Sequence, residues 1–169
     1  QILQNYKTGE LKVHDIPAPL VSAGRVLVAN RSSLISAGTE RATVNIAKKP
    51  LAGKAMERPD LVRKVLDKVK KDGLAETVKM VNGRLDSLAA LGYSCAGEVI
   101  AVGKGVTGIN VGDRVACAGQ DYASHAEIVQ IPKNLCLKIP EGVSYEDAAY
   151  VAVGAIALQG LRQADPRLG

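Results

Sequence analysis

Few residues of this chain have a type and spacing that could do chemistry. Gly103-Lys104-Gly105-Val106-Thr107-Gly108 is a literal G-x-G-x-x-G. That pattern seats a pyrophosphate when it follows a strand and opens a helix. Here it runs into Ile109-Asn110-Val111-Gly112-Asp113, which is turn and strand material, so its glycines serve a β-connection. Cys95, Cys117 and Cys136 lie singly in apolar runs, with no C-x-x-C pair. Buried free thiols follow, in preference to ligands or nucleophiles. His14 and the distant His125 lie among strand residues, where rim or packing roles are expected. What remains is a set of hydroxyls with one carboxylate. Ser36, Thr39 and Glu40 stand close together in Ser32–Glu40, and Tyr93 stands apart. Gly38 suits a tight turn, after which Thr39 and Glu40 can bond backbone amides near a helix start. A tyrosine can donate a proton or orient an oxygen, or it can simply pack with its hydroxyl satisfied.

The elements that must position these residues are mostly short strands. Ile2–Tyr6 and Leu11–Ile16 flank Lys7-Thr8-Gly9-Glu10 and predict a hairpin, closed off by Pro17 and Pro19. Arg25–Arg31 predicts a β-branched strand. Leu91–Pro132 holds three more strands, over 96–103, 114–117 and 126–131, divided by Gly, Asn and Asp. Leu135–Ile139 predicts the last one. Residues 41–90 read differently. Pro59-Asp60 starts a helical pattern with Leu61, Val62, Val65, Leu66 and Val69 as its stripe. Gly73 is a natural stop, and Leu74, Val78, Val81 and Leu85 repeat the pattern. Arg41–Lys49 predicts a further short helix. These helices are expected to dock on the strands by their apolar stripes. Ser144, with an acid three residues on, predicts a helix N-cap, and Ala148–Leu161 continues as helix until Asp165-Pro166.

Composition excludes several classes. The 169 residues suit one domain with a real core, and 47% hydrophobic with 23% charged residues is globular in character. No run is long enough for a transmembrane helix, and no signal-peptide pattern opens the chain, so a cytoplasmic location is expected. The net charge of +5 is uneven: residues 41–90 hold 12 Lys or Arg against 6 Asp or Glu, leaving the remainder at −1. A basic segment raises nucleic acid as a partner. The chain has no Phe or Trp for base stacking, and its bases alternate with acids at helical spacing. A solvated face is expected, with neither nucleic-acid nor membrane partners. Self-association into a homo-oligomer is left open.

Gly92-Tyr93-Ser94, then Ala96-Gly97-Glu98-Val99-Ile100-Ala101-Val102-Gly103, then Val111-Gly112-Asp113-Arg114-Val115, then His125-Ala126-Glu127-Ile128-Val129 form an ordered series. It resembles the N-terminal, GroES-like catalytic domain of the medium-chain dehydrogenase/reductase superfamily. The resemblance implies a mainly β fold with α: a partly open β-barrel over residues 1–143, with a helical insertion at 41–90. Residues 144–169 are then linker helices leading to a nucleotide-binding domain that this chain lacks. It implies hydride transfer between NAD(P), held by that absent domain, and a small-molecule carbonyl, alcohol or activated alkene. The isolated piece is then expected to be inactive.

The zinc ligands of zinc-dependent relatives would fall on Ser36 or Ala37, on Tyr93 and within Val151–Val153. None is a thiolate, imidazole or carboxylate, so no zinc is expected. The four-cysteine loop that binds structural zinc in some relatives is missing too, and Tyr122–Glu127 resembles the shorter loop of quinone reductases. By the same resemblance Thr39 and Glu40 match a hydroxyl-plus-acid pair that relays a proton. Thr39 and Tyr93 are therefore the leading catalytic candidates, with Ser36 and Glu40 beside them. The Ile35–Glu40 segment with its basic insertion also resembles large bacterial two-part oxidoreductases. The rival reading is a non-enzymatic binding or scaffold module that kept the barrel without the chemistry.

Overall fold

A computed structural model describes residues 1–57 and 59–166. Their packing divides into two compact units, one of residues 1, 15–35 and 91–166, the other of residues 2–14 and 36–90.

The first unit is built on one strand, β3 (Arg25–Ser33), whose Val26 and Val28 are fully buried between half-buried neighbours. This is the period-two pattern its sequence predicts, and it continues two residues past the expected end. On one side β3 pairs antiparallel with β7 (Ile128–Pro132), on the other with β5 (Ser94–Val102). β6 (Arg114–Ala118) and β8 (Cys136–Lys138) complete a five-stranded antiparallel sheet of order β7-β3-β5-β6-β8. The sheet curls into a partly open, GroES-like barrel. Val26, Val28, Val99, Val115 and Ile131 fill it, each worth about 1.5–3 kcal/mol over exposure to water. Two register shifts bend β3 against β5, and at Gly97 the strands close so tightly that a Cβ would strike the Ala29 carbonyl. The G-x-G-x-x-G run lies in the β5–β6 connection, with no helix after it, as its context requires.

The three cysteines are free and buried, as expected. They stand in register across adjacent strands, Cys95 opposite Cys117 and Cys117 opposite Cys136. The Sγ atoms of Cys117 and Cys136 are 3.8 Å apart. The hydrogen bond to Cys136, contact with Cys95 and burial all push the Cys117 thiol up, so it stays protonated. At the rim, Lys138 Nζ lies 2.8 Å from Asp113 Oδ2 and the Asn110 amide donates to the same oxygen at 2.7 Å. Together they hold the Asp113 carboxyl below its ordinary value.

Past β8, Ser144 caps α5 (Tyr145–Ala148): its Oγ accepts from the Asp147 amide at 3.0 Å, as the sequence predicts. The helix α6 (Val151–Ala164) follows and stops at Asp165, in the left-handed region. Among the described residues, no helix is long and apolar enough to cross a membrane.

In the second unit, β1 (Ile2–Asn5) and β2 (Leu11–Val13) form the expected hairpin, with Asn5 Oδ1 accepting from the Lys7 and Thr8 amides. On the other side of β1 lies β4 (Leu88–Ala90), a three-residue strand that carries no alternation to announce it. Four helices intervene: α1 (Ala37–Lys48), α2 (Leu51–Glu57), α3 (Pro59–Asp72) and α4 (Leu74–Leu85). The last two match the expected stripes, and Gly73 ends α3 at a positive φ. Three expectations need correction. α1 starts four residues before Arg41, and α2 has no counterpart in the sequence reading. The apolar stripe is also only partly sunk. Leu61, Val62, Val65 and Val69 are half-buried, Leu66 is 55% exposed, and no residue of α3 is fully buried. α3 packs along α4, and the helices are tied to the hairpin by Lys54 Nζ, which donates to the carbonyls of Tyr6 and Lys7.

Candidate functional site

The sequence-named residues fall into both units. Ser36, Thr39 and Glu40 come together at the start of α1. Ser36 is its N-cap, with extended φ and ψ, and its Oγ accepts from the Thr39 amide at 3.4 Å. Glu40 reaches back, its Oε1 accepting from the Ser36 amide at 2.9 Å. The two satisfy donors that the helix itself cannot. The acid lies four residues after the cap, not three, so the usual capping-box spacing does not mark it. One oxygen of the buried Glu40 carboxylate is thus committed to the backbone, and Thr39 is exposed on the first turn. Gly38 lies within the helix and not in a turn before it.

Tyr93 belongs to the barrel unit. It is half-buried on the bend before β5, where its carbonyl accepts from the Gly119 amide at 2.8 Å. Its neighbour Ser94 is fully buried. The Ser94 hydroxyl donates to the Ala149 carbonyl at 2.6 Å and accepts from the Ala152 amide at 3.2 Å. One small side chain therefore pins the junction of α5 and α6 to the strand that begins beside Tyr93.

The barrel unit also gathers groups that sequence reading left as packing. His125 is 8% exposed. Its amide donates to the Leu91 carbonyl at 2.8 Å, and its Nδ1 lies 2.8 Å from the hydroxyl of Ser33, at the exposed end of β3. The ring sits against Gly92, where a Cβ would come within 3.0 Å of Nδ1 and Cε1, at a φ of +96°. Only glycine leaves the imidazole its place. The residues on either side of His125 are held by Asn30, whose Nδ2 donates to the Ala126 carbonyl at 2.7 Å and to the Ser124 carbonyl at 3.2 Å. Gln1 Nε2 adds a bond to Ser124 Oγ at 3.0 Å. These pairs join residues more than ninety positions apart. The only local signal was a polar Asn30 directly after the apolar run Val26–Ala29.

A cleft of about 250 Å³ opens on the barrel unit, lined by Arg25, Asp121, Tyr122 and Gln130 and also by Gln1 and Ser124. Its cation is already engaged: Arg25 stacks 5.4 Å from the Tyr122 ring centroid and donates to Gln130 at 3.0 Å. None of the sequence-named candidates lines it.

The positions that the resemblance assigns to zinc ligands hold hydroxyls at Ser36 and Tyr93, or alkyl groups at Ala37 and at Val151–Val153 at the start of α6, whereas zinc takes thiolate, imidazole or carboxylate. Among the described residues, no three His, Cys, Asp or Glu side chains gather to hold a metal ion.

Residues 64–141 match the model of the alcohol dehydrogenase GroES-like domain. A squalestatin hexaketide synthase of Cochliobolus lunatus is 45% identical over 64 residues, 38% of this chain and 2% of that protein. A quinone oxidoreductase of Pseudomonas aeruginosa is 37% identical over 73 residues, 43% of this chain and 22% of that protein. Among solved structures, the quinone oxidoreductase of Coxiella burnetii superposes with a TM-score of 0.66 at 23% identity, over 99% of this chain and 45% of that one. The Escherichia coli quinone oxidoreductase, solved with NADPH, gives 0.62 at 19%, over 96% and 40%. At such identities the structural likeness is one of fold. The chain spans less than half the length of each of these proteins.

Proposed function

The chain carries a GroES-like domain of the medium-chain dehydrogenase/reductase superfamily, an oxidoreductase family, and on that premise we propose that it is the substrate-binding, zinc-independent part of an NAD(P)-dependent oxidoreductase. Its reaction is hydride transfer to or from a small carbonyl, alcohol or activated alkene. The observation that carries this reading is the chain's own donor set. The positions that the resemblance assigns to zinc ligands hold hydroxyls and alkyl groups, while proton donors stand at the ends of β3 and β5. α5 and α6, tied to β5 by Ser94, lie in residues 144–169, which the resemblance makes the linker from the barrel to the nucleotide-binding part. The neighbours solved with NADPH support a nicotinamide as the co-substrate.

The nicotinamide, when bound, supplies or takes the hydride. The residues of this chain orient the reacting group and supply the proton that the oxygen needs, by preorganised hydroxyls in place of a metal. Tyr93, and Thr39 with its Ser36 and Glu40 neighbours, are the donors the resemblance nominates.

The test uses the native gene product that contains this chain, assayed for NADPH and NADH oxidation with a quinone, an enone and an aldehyde. Expected is turnover with at least one of them, unchanged after dialysis against chelator, with zinc well below stoichiometric by elemental analysis. No turnover with any acceptor removes the enzymatic reading and favours a scaffold. Near-stoichiometric zinc whose removal abolishes turnover removes zinc independence.

A further inference from the structure

We infer that Ser33 and His125 form a proton-delivery pair for the reacting oxygen, a role that rests on the oxidoreductase reading above. Three observations converge on it. The Nδ1–Oγ separation of 2.8 Å is a made hydrogen bond. The pair runs from inside to outside, since His125 is buried while Ser33 is exposed at the end of β3. The imidazole is also fixed from several sides: by its amide on Leu91, by the space that Gly92 leaves, and by Asn30 holding the carbonyls before and after it. A histidine that only filled space would not need its flanking peptides clamped. Such clamping is what keeps a proton-transfer geometry within tolerance.

The carbonyl carbon receives hydride from a reduced nicotinamide, and the C=O π pair moves to oxygen. The Ser33 hydroxyl gives its proton to that oxygen as the His125 imidazolium gives its Nδ1 proton to Ser33 Oγ. An N–H bond breaks, an O–H bond forms on the product, and neutral imidazole remains, to regain its proton through Ser33, the exposed end of the pair. Alcohol oxidation runs the same steps backwards. Ser33 is the group that meets substrate, and His125 acts through it as a positioning and relay residue.

The first measurement needs no turnover. In ¹⁵N spectra of the native gene product, the ring-nitrogen resonances lost in His125→Gln identify His125. Expected is a displaced His125 Nδ1 resonance in Ser33→Ala and its return in Ser33→Thr. The second measurement is kinetics on the native gene product. Ser33→Ala should lower kcat by about 100-fold or more, as loss of a positioned proton donor does, with KM much less affected, and Ser33→Thr should recover most of it. An unchanged Nδ1 resonance, or a kcat for Ser33→Ala within about twofold of the parent against that expected loss, overturns the pair while leaving the oxidoreductase reading intact. A native product that oxidises neither nicotinamide with any acceptor overturns both. Ser33 is exposed, so its variants are expected to fold, and their amide spectra verify this.

Discussion

Asn30→Ala is the sharpest probe of how the barrel holds its histidine. The substitution removes two hydrogen bonds of unequal worth. The bond to Ala126 O is short, at 2.7 Å, and among the described residues no turn or loop amide donates to that carbonyl as well. The bond to Ser124 O is longer, at 3.2 Å, and that carbonyl still accepts from the Ala126 amide. Orphaning the first costs about 1–3 kcal/mol, and losing the second about 0.5–1 kcal/mol. A partial offset of about 1 kcal/mol follows because Asn30 Oδ1 is itself buried without a partner, and alanine removes it. The net loss is about 0.5–3 kcal/mol. Barrel amides that exchange only when the whole barrel opens should then exchange about 2- to 150-fold faster. Hydrogen exchange is the right assay, because the chain has no Trp to report its unfolding by fluorescence. Asn30→Asp keeps the shape, loses the donors and sets a charge against two carbonyls, so it should be worse than alanine at neutral pH. If both variants exchange like the parent, or if Asp is the milder of the two, the clamp does not contribute as argued.

Two further outcomes follow from the packing. In the helical unit, Val65→Ala should cost roughly 0.5–1.5 kcal/mol and Leu66→Ala under about 0.5 kcal/mol, because the first is half-buried and the second 55% exposed. Urea unfolding followed by circular dichroism separates them, and equal losses would contradict this packing. At the barrel rim, the Asp113 carboxyl titrates below its ordinary value in the folded chain. Its contribution is therefore present above the unfolded value and lost as pH falls through the folded one. Urea midpoints of the parent and Asp113→Asn should differ at about pH 7 and converge near about pH 2. A difference that persists in acid would sink this account.

The strands were legible because half-buried strands alternate. Val26, Val28 and the residues between them spell their faces, and glycines with Asn and Asp mark the ends. α3 and α4 were legible from their stripes, but a stripe says which face is apolar and not how deeply it sinks, so Leu66 was misjudged. α2 was missed because Leu51–Glu57 carries a glycine and no apolar period. β4 was missed because three residues cannot show alternation. The start of α1 was missed because its cap and acid are spaced one residue beyond the usual pattern. Ser36, Thr39 and Glu40 could be named together because they are neighbours in the chain. Ser33, Asn30 and His125 could not, because strand pairing between β3 and β7 makes them neighbours, and no local pattern encodes that pairing.

The row of thiols across β5, β6 and β8 gives the barrel a built-in clock for its own unzipping. β8 is an edge strand, so Cys136 is uncovered when a single ladder parts. Cys117 sits on β6, flanked by β5 and β8. Cys95, on β5 between β3 and β6, is shielded most deeply in the sheet. A thiol reagent reacts with none of them while the strands are closed. The order in which it modifies them therefore records the direction in which the sheet comes apart, Cys136 first if it frays from the β8 side, and all three together if the barrel opens as one piece.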